Sequence, residues 1–352
     1  GLLLACSFPL PDYTALAWFG LIPLVMVMQN RPFKSGFVAG LVFFATTLYW
    51  LNIVMTTYGH LPLAVSFLFY LLLAGYLALF WGAATWAACR LKELRNYSYA
   101  LTLPVLWVAL EFLREFLLTG FPWATLGYSQ HAWLPMIQSA DLFGVYGLSY
   151  LLLLCNVVLG LSFLALQRTT AHRVPVKACL ATAILLLLNY GYGQWRLQQD
   201  LDGRNETLQT ALIQGNIPQD LKWRPDNQLH TVKTYRDLSL QAGRSGTSDL
   251  TVWPEAAMPF YFQDGGELAE AVAELPLETR GSLLFGSPAY SRQSGVIRYL
   301  NSAFLLSPTA QILGRSDKTH LVPFGEYVPL GGFLPFINRL VAGIGGADHY
   351  HR

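Results

Sequence analysis

Two acidic side chains and a lysine are placed where they could do chemistry. Glu255 ends the run TVWPE, in which the apolar stretch 250–253 and a proline lead directly to a carboxylate. A run of that length and composition predicts a strand, so Glu255 is delivered to a sheet rim, where loops begin and sites are built. Among Trp253, Pro254, Met258 and Phe260 the carboxylate is expected to be partly desolvated, which raises its pKa toward the range of a general base. A strand-end glutamate solvated at the surface is the plainer alternative. Lys318 lies in RSDKTHLVPFGEYVP, a polar stretch running into a proline- and glycine-shaped loop that also holds Glu326. A solvated loop lysine is the usual explanation of such a residue, but a lysine fixed beside carboxylates is a strong stabiliser of a developing oxyanion. His320, His349 and His351 have no third ligand at fitting spacing, so neither a metal nor a cofactor is expected.

The elements that must position these groups divide the chain in two. Of its 352 residues, 53% are hydrophobic and only 12% charged, against roughly 25% charged in an ordinary soluble domain. The charges are sparse before Gln194 and frequent after it. Apolar stretches of about the 20 residues needed to cross a bilayer occur near 13–28, 33–55, 61–89, 97–118, 144–166 and 176–192, with a further fragment before Pro9. A soluble helical core is the alternative, but its helices need a polar face, and 67–81 offers none. All four cysteines, Cys6, Cys89, Cys155 and Cys179, fall in or beside these apolar segments without metal-binding spacing and read as small buried hydrophobes. The net charge of +2 is scattered, with no basic run to track phosphates, which excludes nucleic acid as a partner.

Basic residues mark every second loop: Arg31 and Lys34, then Arg90, Lys92 and Arg95, then Arg168, Arg173 and Lys177. The loops 9–12 and 56–60 between them have none. Because Lys and Arg concentrate on the cytoplasmic side, the last span is expected to exit outward and leave the C-terminal portion extracytoplasmic. The outward connection 119–142 carries Phe121, Pro122, Trp123, Tyr128, His131 and Trp133, either an interfacial aromatic belt or a substrate-facing loop. Glu111 and Arg114, three apart on one predicted helix, form a plausible ion pair, and ionisable groups at that depth are functional candidates. After a polar junction, 195–207, short apolar runs at 208–213, 250–253, 282–285, 302–306 and 311–313 suit strands. Helix-compatible stretches at 227–242 and 267–275 lie between the first three, which implies an α/β domain.

TVWPEAAMP, DKTHLVPFGEYVP and ALIQGNIPQDLKW resemble the nitrilase-like domain of the bacterial apolipoprotein N-acyltransferases, a branch of the carbon-nitrogen hydrolase superfamily, and TGFPWATLGYSQ resembles their membrane part. The motifs stand in family order over nearly the whole chain. The resemblance implies an α-helical transmembrane bundle over 1–194 and an extracytoplasmic αββα sandwich over 208–352. It also implies a Glu, Lys, Cys triad in which Glu255 matches the base, Lys318 the oxyanion-stabilising lysine and Glu326 a second glutamate. Trp223 matches a residue of a flexible region near the lipid entrance, and Pro323, Phe324 and Tyr327 fall in the matched active-site loop. Trp253, beside the base, is taken as a further substrate contact. The nucleophilic cysteine has no match, and the chain opens at Gly1 within what reads as the tail of a hydrophobic helix, so it is expected to be truncated at both ends and inactive as it stands.

The resemblance further implies an acyltransferase of the bacterial cytoplasmic membrane, multi-pass and expected to be a monomer. It would move an acyl chain from a membrane phospholipid, through a cysteine thioester, to the N-terminal amine of a diacylglyceryl-cysteine lipoprotein. A membrane-tethered amidase or nitrilase, which predicts a closed polar pocket, and a non-catalytic lipid- or lipoprotein-binding relative are the rival readings.

Overall fold

The computed structural model describes residues 1–59, 61–167, 174–199, 207–246, 248–293 and 296–321. The chain forms two compact units, Gly1–Asp200 and Leu201–Arg352.

In the first unit the long helices are α1 (Pro32–Thr47), α2 (Leu63–Arg95), α3 (Tyr99–Arg114), α4 (Ala140–Leu166) and α5 (Val176–Leu197). Three of them, α2, α4 and α5, are long and apolar enough to cross a bilayer, and a fourth span arises if α1 is joined to its continuation Leu51–Thr57 across a 55° bend. Six full spans were expected, and two of those stretches fall short. The stretch 13–28 breaks into a 3-10 turn, Thr14–Trp18, and the short helix Ile22–Val27, which begins with Pro23 in its first turn, where a proline is tolerated. The stretch 97–118 ends as helix at Arg114 and passes into left-handed backbone at Leu118; its 16 residues make a cylinder of about 24 Å.

α2 packs against α1 and α3, and α3 against α4. The seam is aromatic: the Phe43 and Trp81 rings stack at 4.9 Å, and Trp81 meets Trp107 at 4.5 Å. Outward faces of α2 and α5, including Leu68, Leu72, Leu187 and Leu188, are exposed, as suits helices whose solvent is lipid.

The second unit is built on one five-stranded sheet, β1 (Thr210–Leu212), β2 (Leu250–Val252), β3 (Ser282–Gln293), β4 (Val296–Leu306) and β5 (Ile312–Asp317), paired in that order. The first three strands run parallel and the last three antiparallel. Two helices, α6 (Gln228–Ser245) and α7 (Glu267–Thr279), supply the crossovers that parallel neighbours require. Their apolar faces, through Val232, Tyr235, Val272 and Leu275, join Trp253, Phe262, Phe285 and Phe304 of the sheet side in one core. Among the described residues this gives one helical layer on one mixed sheet. The strands β3 and β4 are far longer than the apolar runs 282–285 and 302–306, because their outer halves carry residues such as Ser287, Pro288, Arg298 and Asn301 that hydropathy alone does not assign to strands.

Candidate active site

β2 ends at Val252, and the next residues fold back on β3 as a clipped turn. Trp253 N–H donates to the Leu284 carbonyl at 2.8 Å, Gly286 N–H to the Pro254 carbonyl at 3.3 Å, and Met258 N–H to the Gly286 carbonyl at 3.0 Å. Gly286 is needed here for space. A Cβ on it would lie 2.4 Å from Ala256 N and 2.9 Å from the Glu255 backbone. Ala256 itself takes a positive φ of 47°, which turns the chain sharply just after Glu255. The turn is thus held to the sheet on both sides of Glu255, and its carboxylate stands at the rim, 65% exposed.

Lys318 reaches the same rim from β5. Its N–H donates to the Asn301 carbonyl at 2.8 Å, which extends the β4–β5 pairing by one residue and sets Lys318 beside Asn301. Both side chains converge on one oxygen: Lys318 Nζ lies 3.1 Å from Glu255 Oε1, and Asn301 Nδ2 donates to it at 2.6 Å. Lys318 is the more enclosed partner, its side chain 28% exposed. Just before it, Ser302 Oγ and Arg315 Nε donate to Asp317 Oδ1 at 2.6 and 2.7 Å. Burial by itself raises the Asp317 pKa, but Arg315 and Ser302 together hold it low, so the strand end carries a fixed ionised side chain next to Lys318.

The carboxyl of Glu255 titrates below the ordinary glutamate range. The hydrogen bond from Lys318 is the main cause; burial opposes it, and Asn301 and the charge of Lys222 add to it. The upward shift expected from Trp253, Pro254, Met258 and Phe260 is overturned, because the side chain points out of that apolar cluster and onto an ammonium group. Glu255 is therefore ionised at neutral pH, a standing proton acceptor whose negative charge is shared with Lys318.

Trp253 does not line the rim. Its ring is 3% exposed, stacks on Tyr235 at 5.1 Å, and donates through Nε1 to Ser239 Oγ at 2.9 Å. It turns into the core, while Glu255, two residues on, faces out because the chain past Val252 has left the strand for the turn, where the two-residue alternation of a strand no longer holds. Trp223 is exposed at the end of the short helix Gln219–Lys222. The neighbouring Lys222 Nζ sits 5.6 Å from the Trp223 ring centre and 3.5 Å from the Glu255 carbonyl oxygen, and burial pushes its ammonium pKa down. Glu326, Pro323, Phe324 and Tyr327 lie outside the described residues.

Asn301, Gly286 and Lys222 escaped the sequence reading. The signals were faint: an amide in the mostly apolar run YLNSAFLL, a glycine inside a strand, and a lysine next to the matched tryptophan.

Comparison with known families agrees in both units. The model of the apolipoprotein N-acyltransferase N-terminal domain matches residues 1–158, and that of the carbon-nitrogen hydrolases matches residues 209–337. The apolipoprotein N-acyltransferase of Geobacter metallireducens is 47% identical over 98% of this chain, and those of Nitrosomonas europaea and Haemophilus influenzae are each 32% identical over 92% and 97% of it. The chain spans 66%, 61% and 65% of the lengths of these three relatives. A solved N-terminal amidase aligns with 33% of this chain and 28% of its own at 19% identity and a TM-score of 0.26. A helical unit and a mixed-sheet unit thus match, in order, the two halves of one kind of protein, and the chain belongs to the apolipoprotein N-acyltransferase family.

Proposed function

We propose that this protein moves a fatty acyl chain from a membrane phospholipid, by way of a cysteine thioester, to the α-amine of a diacylglyceryl-cysteine at a lipoprotein N-terminus. The observation that carries the reading is the 3.1 Å pairing of Glu255 with Lys318 at the rim of the sheet, in a chain that also holds membrane-length helices. In the first half-reaction Glu255 accepts the thiol proton as sulfur attacks the ester carbonyl. The oxyanion that forms is stabilised by Lys318, and its collapse expels the lysophospholipid alkoxide, which takes the proton back from Glu255. In the second half-reaction the incoming amine attacks the thioester, Glu255 receives the amine proton, and the thiolate leaves as the amide forms. Residues 201–352 contain no cysteine, and the four in the helical unit are buried or partly buried among its helices. None of the four is the thiol of this reading. The 352-residue chain is accordingly inactive by itself, and the protein expressed from its own gene is the form to assay.

In the same reading residues 1–194 anchor the protein in the bacterial cytoplasmic membrane, 195–207 join the two parts, and 208–352 act on the extracytoplasmic face. The alternation of basic and neutral loops supports this orientation. In that reading Glu326 is the second glutamate of the site, and Trp223, Pro323, Phe324 and Tyr327 contact substrate. Both substrates are membrane-anchored, which gives a reason for joining a hydrolase-type domain to membrane-length helices in one chain.

The test is product formation. Purified protein is incubated in mixed micelles with phosphatidylethanolamine and a diacylglyceryl-cysteinyl peptide, and mass spectrometry should find the N-acylated peptide and lysophospholipid in equal amounts. Release of free fatty acid or ammonia without acylated peptide would transfer the assignment to a hydrolase.

A further inference from the structure

Glu111 and Arg114 are the charged side chains of α3 that turn inward, only 6% and 1% exposed. They lie three residues apart, yet no hydrogen bond joins them: Arg114 bonds to the segment after the helix, and Glu111 to that segment and to Trp107 of its own helix. Glu111 Oε1 accepts from the backbone N–H of Leu126 at 2.9 Å and from Trp107 Nε1 at 3.1 Å. Arg114 Nη2 donates to Thr125 Oγ1 at 3.1 Å, the Thr125 hydroxyl donates to the Pro122 carbonyl at 3.0 Å, and the guanidinium lies 5.4 Å from the Phe44 ring centre. The Arg114 carbonyl accepts the N–H of Phe121 at 3.0 Å. The chain between is turned back by Leu118 and Gly120, both at positive φ, and a Cβ at Gly120 would lie 1.9 Å from the Glu115 carbonyl oxygen.

The rest of the segment is tied from the other side. Gly127 N–H donates to Ser149 Oγ on α4 at 2.9 Å, and Gln130 both accepts from Trp18 Nε1 at 2.9 Å and donates to the Thr14 carbonyl at 3.0 Å. Thr125, Leu126, Ser129 and Gln130 are buried, while Trp123, just before them, and Tyr128, among them, are exposed. Buried charges are poor sources of net stability, and ionisable groups inside a membrane bundle call for a function. A conformational template is the function these contacts describe.

We infer that Glu111 and Arg114 are positioning residues, a buried carboxylate and guanidinium on which the segment 121–131 is moulded so that Trp123 and Tyr128 project as a preorganised aromatic platform for the lipid acyl donor at the membrane interface. The platform's substrate rests on the acyl-transfer reading; the moulding of the segment does not. Holding two aromatic rings in advance lowers the ordering cost of lipid binding, and amphipathic rings of this kind favour the headgroup level.

The experiment is hydrogen exchange, read by mass spectrometry on the whole chain in nanodiscs, for wild type, Glu111→Ala, Glu111→Gln and Thr125→Val. Loss of a buried hydrogen bond to a charged group should raise exchange across 121–131 by about tenfold or more in Glu111→Ala, with α2 and α4 unchanged. Glu111→Gln keeps an acceptor oxygen and should retain most of the protection. Thr125→Val, close in shape, removes only the hydroxyl and decides the matter if Glu111→Ala does not fold. In the protein expressed from its own gene, Glu111→Ala should raise KM for phospholipid several-fold with a smaller change in kcat. Unchanged exchange in 121–131, or a uniform rise in every helix, would overturn the inference. Localised exchange in a protein whose wild type transfers no acyl chain would keep the moulding and remove the lipid role.

Discussion

The helical unit and the sheet unit each hold a glutamate and a basic residue, and they treat them in opposite ways. In the bundle, Glu111 and Arg114 are almost wholly buried, and Glu111 Oε1 and Arg114 Nη2 bond to a backbone N–H and a hydroxyl of the loop that they fix. On the sheet, Glu255 and Lys318 stand at an open rim and hydrogen-bond each other, with Asn301 as a further donor. The difference teaches where each pair can act. Charges enclosed in a low-dielectric bundle set shape, because moving them is costly. Charges at a rim remain able to exchange protons and to meet a developing anion.

Substitutions at the rim pair should therefore damage chemistry and spare the fold. In the protein expressed from its own gene, Glu255→Gln should lower acyl transfer by at least about a hundredfold, with an unchanged circular dichroism spectrum. Lys318→Met comes next: removing one oxyanion stabiliser costs about a hundredfold in kcat. It should also raise the Glu255 pKa, since the Lys318 hydrogen bond is the largest cause of its depression. The sign for stability follows. A carboxyl with a lowered folded-state pKa adds stability above the ordinary glutamate value of about 4.3 and loses it as pH falls through the depressed value. Acid titration of unfolding should show this component in wild type and lose it in Lys318→Met.

Two smaller perturbations sharpen the contrast by changing geometry and not charge. Gly286→Ala forces a methyl group against the Glu255–Ala256 backbone and should destabilise the sheet unit by about 1–3 kcal/mol, read as an earlier urea midpoint, while also reducing turnover. Asn301→Leu removes one donor to Glu255. Its effect should be the smallest of the four, less than about tenfold in rate, with a modest upward move of the Glu255 pKa.

Much of this was legible in the sequence where a local rule applied. The two helical crossovers, the strand preceding Glu255 and the polar stretch carrying Lys318 could be read from run lengths and turn residues. The direction of the Glu255 pKa shift was not, because neighbours in sequence, Trp253 and Met258, turn into the core, while the residues that set it, Lys318 and Asn301, arrive from 63 and 46 positions away. The same limit explains Glu111 and Arg114: helical spacing suggested a pair, and only the fold of 121–131 reveals that both are bound to the loop. The stretch 13–28, read as one apolar run, is a 3-10 turn, Thr14–Trp18, followed by the short helix Ile22–Val27, a break invisible to average hydropathy.

The central claim is that Glu255, held by Lys318, generates a thiolate that takes an acyl chain from phospholipid. It is tested most directly by incubating the protein expressed from its own gene with phospholipid bearing a labelled acyl chain, quenching in acid, and locating the adduct by peptide mass spectrometry. A hydroxylamine-labile thioester is expected on a cysteine other than Cys6, Cys89, Cys155 and Cys179, present in wild type and absent in Glu255→Gln. No adduct, an adduct on one of those four cysteines, or an adduct that forms equally well in Glu255→Gln would contradict it.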